Sequence, residues 1–220
     1  MILFLSVIGL SVLAGYLLGG RLRSFERLRL RWWGLAPLGL ALQAIPLPDA
    51  RQGTDLLVRV VVLSCSFVLI LLFAAINLRV AGMWLLFIGL ALNFAVIALN
   101  GGMPVSREAL VRSNQAEVLQ VLERNEGAKH HLLTSDDDLT FLADVIPVAG
   151  PIKQAVSVGD VFVYSGLAWL IVSVMRGRTG ALAPVSELGR YRGRHRSGTT
   201  RAARPAPTPP PAATTLGTGP

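Results

Sequence analysis

The amino-acid sequence predicts an all-α integral membrane protein with five transmembrane helices, one extracytoplasmic loop domain and a disordered C-terminal tail. Of its 220 residues, 52% are hydrophobic and only 15% are charged, whereas about 25% of the residues in soluble domains are charged. The apolar residues form five runs close to the roughly 20 residues that a helical membrane crossing needs. The arginines cluster beside these runs, as expected where charge sets topology.

The first run, residues 2–20, is expected to be an uncleaved helix. A cleavable signal peptide begins with basic residues, but none precedes this run, and the basic segment RLRSFERLRLR follows it at 21–31. Positive residues mark the cytoplasmic end of a membrane helix. The pattern therefore predicts an N-terminus outside the cytoplasm.

The next three runs differ in how clearly they indicate a crossing. Run two, residues 32–47, is short and contains two prolines and a glutamine, so hydropathy alone does not decide its role. Runs three and four, residues 56–76 and 80–99, are separated by three residues. So short a connection predicts an antiparallel helical hairpin.

Charge favours five crossings. Segments 21–31 and 176–220 carry five and eight arginines, respectively, and one glutamate each. Five crossings place both segments on the cytoplasmic side, whereas omitting run two places them on opposite sides. Residues 1–99 are therefore predicted to hold transmembrane helices 1–4, and residues 158–175 the fifth, with the C-terminus in the cytoplasm.

Residues 100–157 form one large loop, expected on the outer face with short helices of its own. Asn100 and the two glycines after it tolerate the left-handed conformation that often ends a helix. Ser106 is expected to cap a surface helix that stops at Gly127. Inside run four, the amide of Asn93 is expected to bond to a neighbouring helix.

Residues 176–220 pass from an arginine-rich stretch into proline, alanine and threonine, a composition that predicts disorder. The basic part has a plain role in topology, and it is also a candidate for contact with anionic lipid headgroups. The lipid bilayer is thus the first predicted partner. No protein partner is indicated, and nucleic-acid binding is not favoured because topology accounts for the basic residues.

Asp160 has a structural explanation. It follows Ser157 by three residues, which is the spacing of a capping box. Its negative charge also suits the positive end of the helix dipole at the start of run five. A role in starting this helix accounts for its position.

Asp144 lacks such an explanation. Ser135 and Asp138 again have capping-box spacing, which predicts a short helix over residues 136–144. Asp144 would then lie near the C-terminal end of that helix, where the dipole disfavours an acid. An acid in this apolar setting needs a partner, such as a nearby lysine, a histidine or a backbone amide.

A sharper hypothesis joins the two acids. Asp144 and Asp160 are candidate catalytic residues, because two carboxyl groups that share a proton can activate water, as in aspartic proteases. Such a pair requires carboxyl groups about 3 Å apart. Capping alone imposes no such distance.

The segment KHHLLTSDDD, residues 129–138, raises the question of a metal site. The weak candidate ligands are His130, Asp136 and Asp138. Adjacent histidines point in different directions, no second His or Cys pair completes a zinc set, and the Gly and Glu of a calcium loop are missing. An acidic helix start with solvated histidines is favoured, and no metal or cofactor is predicted.

Several motifs together resemble a known family. These are LNGGMPVSREAL at 99–110, the KHHLL segment, LTFLADVIPV at 139–148 and SVGDVFVYSGLAWLI at 157–171. Their order resembles that of the bacterial membrane-protein family catalogued as domain of unknown function 5317, over about residues 1–175. Where a glycine is expected before Asp144, this chain has Ala143. The resemblance implies a multi-pass protein of the bacterial cell membrane and no particular activity.

Three functions stay open. The sequence favours a non-enzymatic envelope or accessory component that acts through its outer loop. Ion and substrate pathways usually need charges inside the membrane, and the predicted crossings hold almost none. One alternative is a hydrolase at the membrane boundary that uses Asp144 and Asp160. The other is a small transporter or a lipid-handling protein, disfavoured by the lack of an inverted repeat.

Overall fold

The computed structural model describes residues 2–45, 53–124 and 129–178. This part of the chain is mostly helical, with four three-residue strands, so the prediction of an all-α fold misses a small β component. The elements in chain order are α1 (Ile2–Leu17), α2 (Leu35–Gln43), α3 (Gly53–Ile76), α4 (Met83–Asn100), β1 (Met103–Val105), α5 (Arg107–Arg112), α6 (Ala116–Glu123), β2 (His130–Leu132), β3 (Ile146–Val148), β4 (Gln154–Val156) and α7 (Val158–Met175). The predicted disordered tail after residue 178, the stop at Gly127 and the end of run two lie outside the described residues.

Within the described residues, three helices are long and apolar enough to cross a membrane. They are Leu57–Ile76 within α3, Met83–Asn100, which is α4, and Val158–Met175, which is α7. Helix α1 is apolar but has 16 residues. Helix α2 has nine residues, which gives about 14 Å at 1.5 Å per residue, half of a typical hydrocarbon core.

The arginine-rich segment after α1 lies where α7 ends. The backbone N–H of Arg21 donates to the carbonyl of Met175 at 2.8 Å, and the hydroxyl of Ser24 donates to the same carbonyl at 3.1 Å. At the turn between α3 and α4, the side chain of Asn77 exchanges hydrogen bonds with both backbone groups of Arg31. The two basic segments therefore start from the same end of the helix bundle.

The opposite end of the bundle carries the described residues 101–124 and 129–157, here called the cap. Within the cap, β1 pairs with β2 in parallel and β3 pairs with β4 in antiparallel orientation. The cap contacts α2 through Lys129, whose ammonium group donates to the carbonyl of Gln43 at the end of that helix. Helix α4 ends at Gly101, whose left-handed φ of 67° confirms the expected glycine stop.

Helices α4 and α7 approach each other through glycines. A Cβ atom at Gly89 would overlap the α7 backbone at Gly159, and one at Gly159 would overlap the side chain of Asn93. This close approach brings the start of α7 against the last turns of α4. The close approach therefore determines which groups of α4 the first side chains of α7 contact.

The cap holds its own small hydrophobic core, and this core explains one difference from the prediction. Ser106 caps α5 as expected, accepting from the N–H of Ala109 at 3.4 Å. The predicted single helix, however, breaks at Asn114, which has a positive φ of 57°. The break lets α5 and α6 fold together over buried residues of β1, α5, α6 and β4. These core residues are Val105, Ala109, Leu110, Leu122 and Ala155.

The helix predicted over residues 136–144 is wrong. The side chain of Asp137 accepts hydrogen bonds from the N–H and the hydroxyl of Thr134, at 2.7 and 2.9 Å, and this closes a turn instead of starting a helix. Leu139 then adopts a left-handed φ of 52°. Only a 3-10 turn forms, over Thr140–Leu142, and Asp144 follows in extended backbone.

Candidate acid site between the bundle and the cap

Asp160 starts α7 in the predicted way. The hydroxyl of Ser157 accepts from the N–H of Asp160 at 2.9 Å, and Oδ2 of Asp160 accepts from the N–H of Ser157 at 3.1 Å. Both halves of the capping box are therefore present, and the local interpretation of this acid is confirmed.

Asn93 ties this capping box to the neighbouring helix. Its amide donates to Oδ1 of Asp160 at 2.8 Å, and its carbonyl oxygen accepts from the hydroxyl of Ser157 at 2.9 Å. The expectation that the amide of Asn93 bonds to a neighbouring helix is thus confirmed. As a result, each carboxylate oxygen of Asp160 accepts one hydrogen bond, and its side chain has a fixed orientation.

Asp144 is held by backbone pairing to β1. Its N–H donates to the carbonyl of Pro104 at 3.0 Å, and its carbonyl accepts from the N–H of Ser106 at 3.1 Å. This bridge beside Val105 runs parallel to β1. The strand, and not a helix end, therefore sets the position of this carboxyl group.

The side chain of Asp144 is nine-tenths buried, and its partners are few. Oδ2 lies 3.9 Å from Nε2 of His130. Oδ1 is buried and has no hydrogen-bond partner within the described residues. A buried carboxyl oxygen without a donor is costly when charged, so this acid is arranged to carry a proton.

The electrostatics agree with that geometry. Burial, together with the nearby charge of Asp160, raises the pKa of Asp144 to about 8. The side chain of His130 is about half exposed. Desolvation lowers the pKa of its imidazole, the charge of Asp160 opposes this effect, and Lys129 adds to it. At neutral pH, both partners of the 3.9 Å contact are therefore predominantly neutral, a protonated carboxyl beside an uncharged imidazole.

Two cavities meet at these residues. One has a volume of 720 Å³ and the other 170 Å³, and His130, Asp144 and Asp160 line both. The structure thus brings the two sequence-predicted catalytic candidates to the same space. A cavity of several hundred Å³ with a few convergent polar groups is typical of a binding site.

The walls of the two cavities differ. The larger one is bounded by β4 and by apolar side chains of α6, namely Val118, Val121 and Leu122. The smaller one extends into the bundle beneath the cap, between Leu63, Phe67 and Ile97. The acid pair therefore lines both a broad cavity bordered by the cap and a narrower one that reaches apolar side chains of the bundle.

The weak metal candidates are not gathered into a site. His130 faces the acid pair, whereas Asp136 is exposed and Asp138 is held to Asn100 through its backbone N–H, at 2.7 Å. Among the residues that the structure describes, no three His, Cys, Asp or Glu side chains converge as ligands for one ion.

Sequence reasoning missed a second pair in the same segment. Nε2 of His131 lies 2.8 Å from Oδ1 of Asp137, and both side chains are buried. Burial works against the charged form of Asp137, but hydrogen bonds from His131 and Thr134 outweigh it and keep the pKa below its ordinary value. This pair fixes the turn that precedes Asp144.

Comparison with known proteins now identifies the family. Residues 27–172, more than half of the chain, match the model of the family of unknown function DUF5317. The chain belongs to this family. The resemblance seen in the motifs is thereby confirmed, and both Asp144 and Asp160 fall inside the matched range.

One curated relative is an uncharacterized protein from Thermotoga maritima. It is 35% identical over 117 residues, which cover 52% of this chain and 64% of that protein. The chain thus spans somewhat less than two thirds of this relative. No solved structure matches the DUF5317 chain.

Proposed function

We propose that this DUF5317 protein is a multi-pass membrane protein with an aspartate-dependent hydrolytic site at the outer boundary of the membrane. The sequence alone placed this function second, behind a non-enzymatic role. The observation that carries the proposal is the position of Asp144 and Asp160, which line the same two cavities. A carboxyl group in a cavity whose pKa is strongly raised, as that of Asp144 is, is typical of functional sites.

The proposed topology has five crossings, with the cap outside and both basic segments in the cytoplasm. It is supported by the contacts of Arg21 and Ser24 with Met175, since the first basic segment and the start of the second then lie at one end of the bundle. Residues 31–43, which include α2, connect the two ends, since Arg31 contacts Asn77 and Gln43 contacts Lys129. The positive-inside rule then assigns the arginine end to the cytoplasm.

Labelling with a membrane-impermeant maleimide tests this topology. In a Cys65→Ser background, a cysteine replacing exposed Gln120 in α6 is expected to react in intact cells. A cysteine replacing Arg23 is expected to react only after the cells are permeabilised. Equal reaction at both positions in intact cells would contradict the proposal.

The proposed reaction is hydrolysis of a peptide bond. The carboxylate of Asp160 takes a proton from water while the water oxygen attacks the carbonyl carbon, and the acid form of Asp144 gives its proton to the carbonyl oxygen. The resulting diol collapses as the carbon–nitrogen bond breaks. Asp160 then protonates the leaving nitrogen, and one diol proton returns to Asp144.

The division of roles follows from the surroundings of each acid. Asp160 accepts hydrogen bonds from the Asn93 amide and the Ser157 N–H. Both partners are donors, and an ionised carboxylate only accepts hydrogen bonds, so this environment suits the charged form of Asp160. Asp144 has a buried oxygen without a donor and a pKa of about 8, which suits an acid that gives up a proton near neutral pH. One group is thus arranged as the base and the other as the acid.

The test is a search for new protein termini. A bacterial host expressing the wild type is compared by mass spectrometry with hosts expressing Asp144→Asn, Asp160→Asn and the matched control Asp136→Asn, which changes an exposed cap acid. Cleavage sites are expected in membrane or exported proteins with the wild type and the control, and not with the other two variants. Absence of such sites, or their persistence with Asp144→Asn, would refute the proposal.

A non-enzymatic role of the cap is the second candidate. It is favoured by the capping box, because both oxygens of Asp160 already hold the start of α7 and its link to Asn93. In that case, the cap serves as a surface for a partner in the envelope. This role would be favoured over hydrolysis if deletion of the cap causes a cellular defect and the Asp144→Asn variant causes none.

A further inference from the structure

Strand β4 borders the larger cavity, and among the residues that the structure describes it pairs along one edge only. In its register with β3, Pro147 stands opposite Ala155. Proline has no N–H to donate, so the ladder bonds must come from the flanking pairs, Ile146 with Val156 and Val148 with Gln154. In an antiparallel ladder, the N–H and C=O of Ala155 then point away from β3, toward the free edge.

The residue at the middle of this free edge is largely buried. Ala155 is 7% exposed and lines the larger cavity. Within the described residues, no backbone group outside the hairpin pairs with the N–H or C=O of Ala155. Buried backbone groups are nearly always paired, so the edge is arranged for a ligand that brings one acceptor and one donor.

We propose that the larger cavity binds an extended polypeptide segment, which adds to β4 as a further strand. This inference rests on the proposed hydrolytic function and specifies how its peptide substrate is held. The backbone of an extended peptide presents an N–H and a C=O at the spacing of the strand beside it. An acyl chain offers no such groups and would leave Ala155 unpaired.

The walls of the cavity define what such a peptide carries. Val118, Val121 and Leu122 form an apolar surface on α6, and alternate side chains of a strand point to the same face. Every second side chain of the bound segment is therefore apolar. Asp144 and Asp160 line the same cavity, so a peptide bond of the added strand comes within reach of the acid pair.

The test uses the full-length protein in lipid nanodiscs and a set of acetylated hexapeptides. Valine alternates with threonine, lysine or glutamate in these probes, and matched versions carry N-methyl groups on every amide. The unmethylated peptides are expected to bind saturably, and the methylated ones at least about tenfold more weakly, because they cannot donate to the edge strand. Failure of every unmethylated peptide to bind, or equal binding of both versions, would overturn the inference.

A protein variant tests the same contact from the other side. Ala155→Pro removes the N–H at the free edge but leaves the ladder bonds of the hairpin, a position where strands tolerate proline. The folded variant is expected to bind peptide about tenfold more weakly. Because Ala155 belongs to the core of the cap, its thermal midpoint is measured in parallel. If this variant misfolds, an ester at position 155, introduced by nonsense suppression, removes the same N–H without constraining φ.

The outcomes separate this inference from the function on which it rests. Peptide binding that depends on Ala155, without any cleavage, would refute the hydrolase and leave the docking edge intact. Cleavage that is insensitive to Ala155→Pro and to N-methylation would refute the docking edge alone. Saturable binding of dodecanoate that no peptide displaces would assign the cavity to an acyl chain and overturn the inference.

Discussion

The amide of Asn93 on α4 donates a 2.8 Å hydrogen bond to Oδ1 of Asp160 on α7, and the bond exists because residue 159 is a glycine. Any Cβ at that position would occupy the space of the Asn93 side chain. Helix packing, the start of α7 and the orientation of one candidate catalytic acid therefore depend on a single contact.

Gly159→Ala is expected to destabilise the protein by about 1–3 kcal/mol, the usual cost of an added methyl group in a packed site. The added methyl group displaces Asn93 from Asp160, so cleavage is expected to fall as well. The measurement is thermal unfolding in detergent, with Gly9→Ala as control, since a Cβ at Gly9 meets nothing within 4 Å. Equal midpoints for the two variants would count against the close helix contact.

Asn93→Ala tests the same link without adding bulk. The hydroxyl of Ser157 and Oδ1 of Asp160 each lose a partner, and a buried polar group left unpaired costs about 1–3 kcal/mol. We expect a lower unfolding midpoint than the wild type. Asn100→Ala removes an amide whose contacts are more exposed and is expected to cost less; the reverse order would be inconsistent with a structural role for Asn93.

The raised pKa of Asp144 predicts how stability depends on pH. The folded value of about 8 exceeds the ordinary 3.8, so the folded state binds more protons between these values and stability falls as the pH rises through this window. Asp144→Asn cannot ionise. The free energy of unfolding of the variant, minus that of the wild type, is therefore expected to increase as the pH rises toward 8. Since each unit of pKa shift is worth about 1.4 kcal/mol, the increase is expected to exceed about 2 kcal/mol at pH 8 and to level off above it.

Denaturant unfolding of both proteins from pH 5 to pH 9 measures this difference. Asp136→Asn serves as the control, because Asp136 is exposed in the same cap segment. A difference between wild type and Asp144→Asn that stays constant across the range would show that Asp144 ionises normally.

Asp137 predicts the opposite pH behaviour. Hydrogen bonds from His131 and Thr134 hold its pKa below 3.8, so its contribution is present above that value and is lost as the pH falls through the lowered pKa. Asp137→Asn is expected to cost about 1–3 kcal/mol at pH 7 and to lessen the loss of stability on acidification. Hydrogen exchange of residues 131–138 would locate the effect; unchanged exchange there would exclude it.

Local spacing predicted those parts of the protein that local interactions determine. Ser157 and Asp160 form the expected capping box, and Ser106 caps the expected helix start, because each cap involves groups only three residues apart. The hairpin of α3 and α4 was predicted because two long apolar runs are separated by only three residues. These features need no knowledge of the rest of the fold.

The position of Asp144 could not be predicted in this way. It depends on pairing with β1, a contact between segments distant in sequence, and on a turn closed by Asp137 in place of the expected helix. The packing of Gly89 against Gly159 is equally nonlocal. The proximity of Asp144 to Asp160 follows from both, so the sequence could raise the acid pair only as a hypothesis.

The central claim is that Asp144 carries a proton at neutral pH because it is buried and lies near the charge of Asp160. Dicyclohexylcarbodiimide, which modifies protonated carboxyl groups in apolar surroundings, tests this claim when peptide mapping follows its reaction from pH 5 to pH 10. The account predicts that Asp144 reacts at pH 7, that reaction declines with a midpoint near pH 8, that Asp160→Asn lowers this midpoint, and that Asp137 stays unmodified. An Asp144 that is unreactive at pH 7, or a midpoint that Asp160→Asn leaves unchanged, would contradict it.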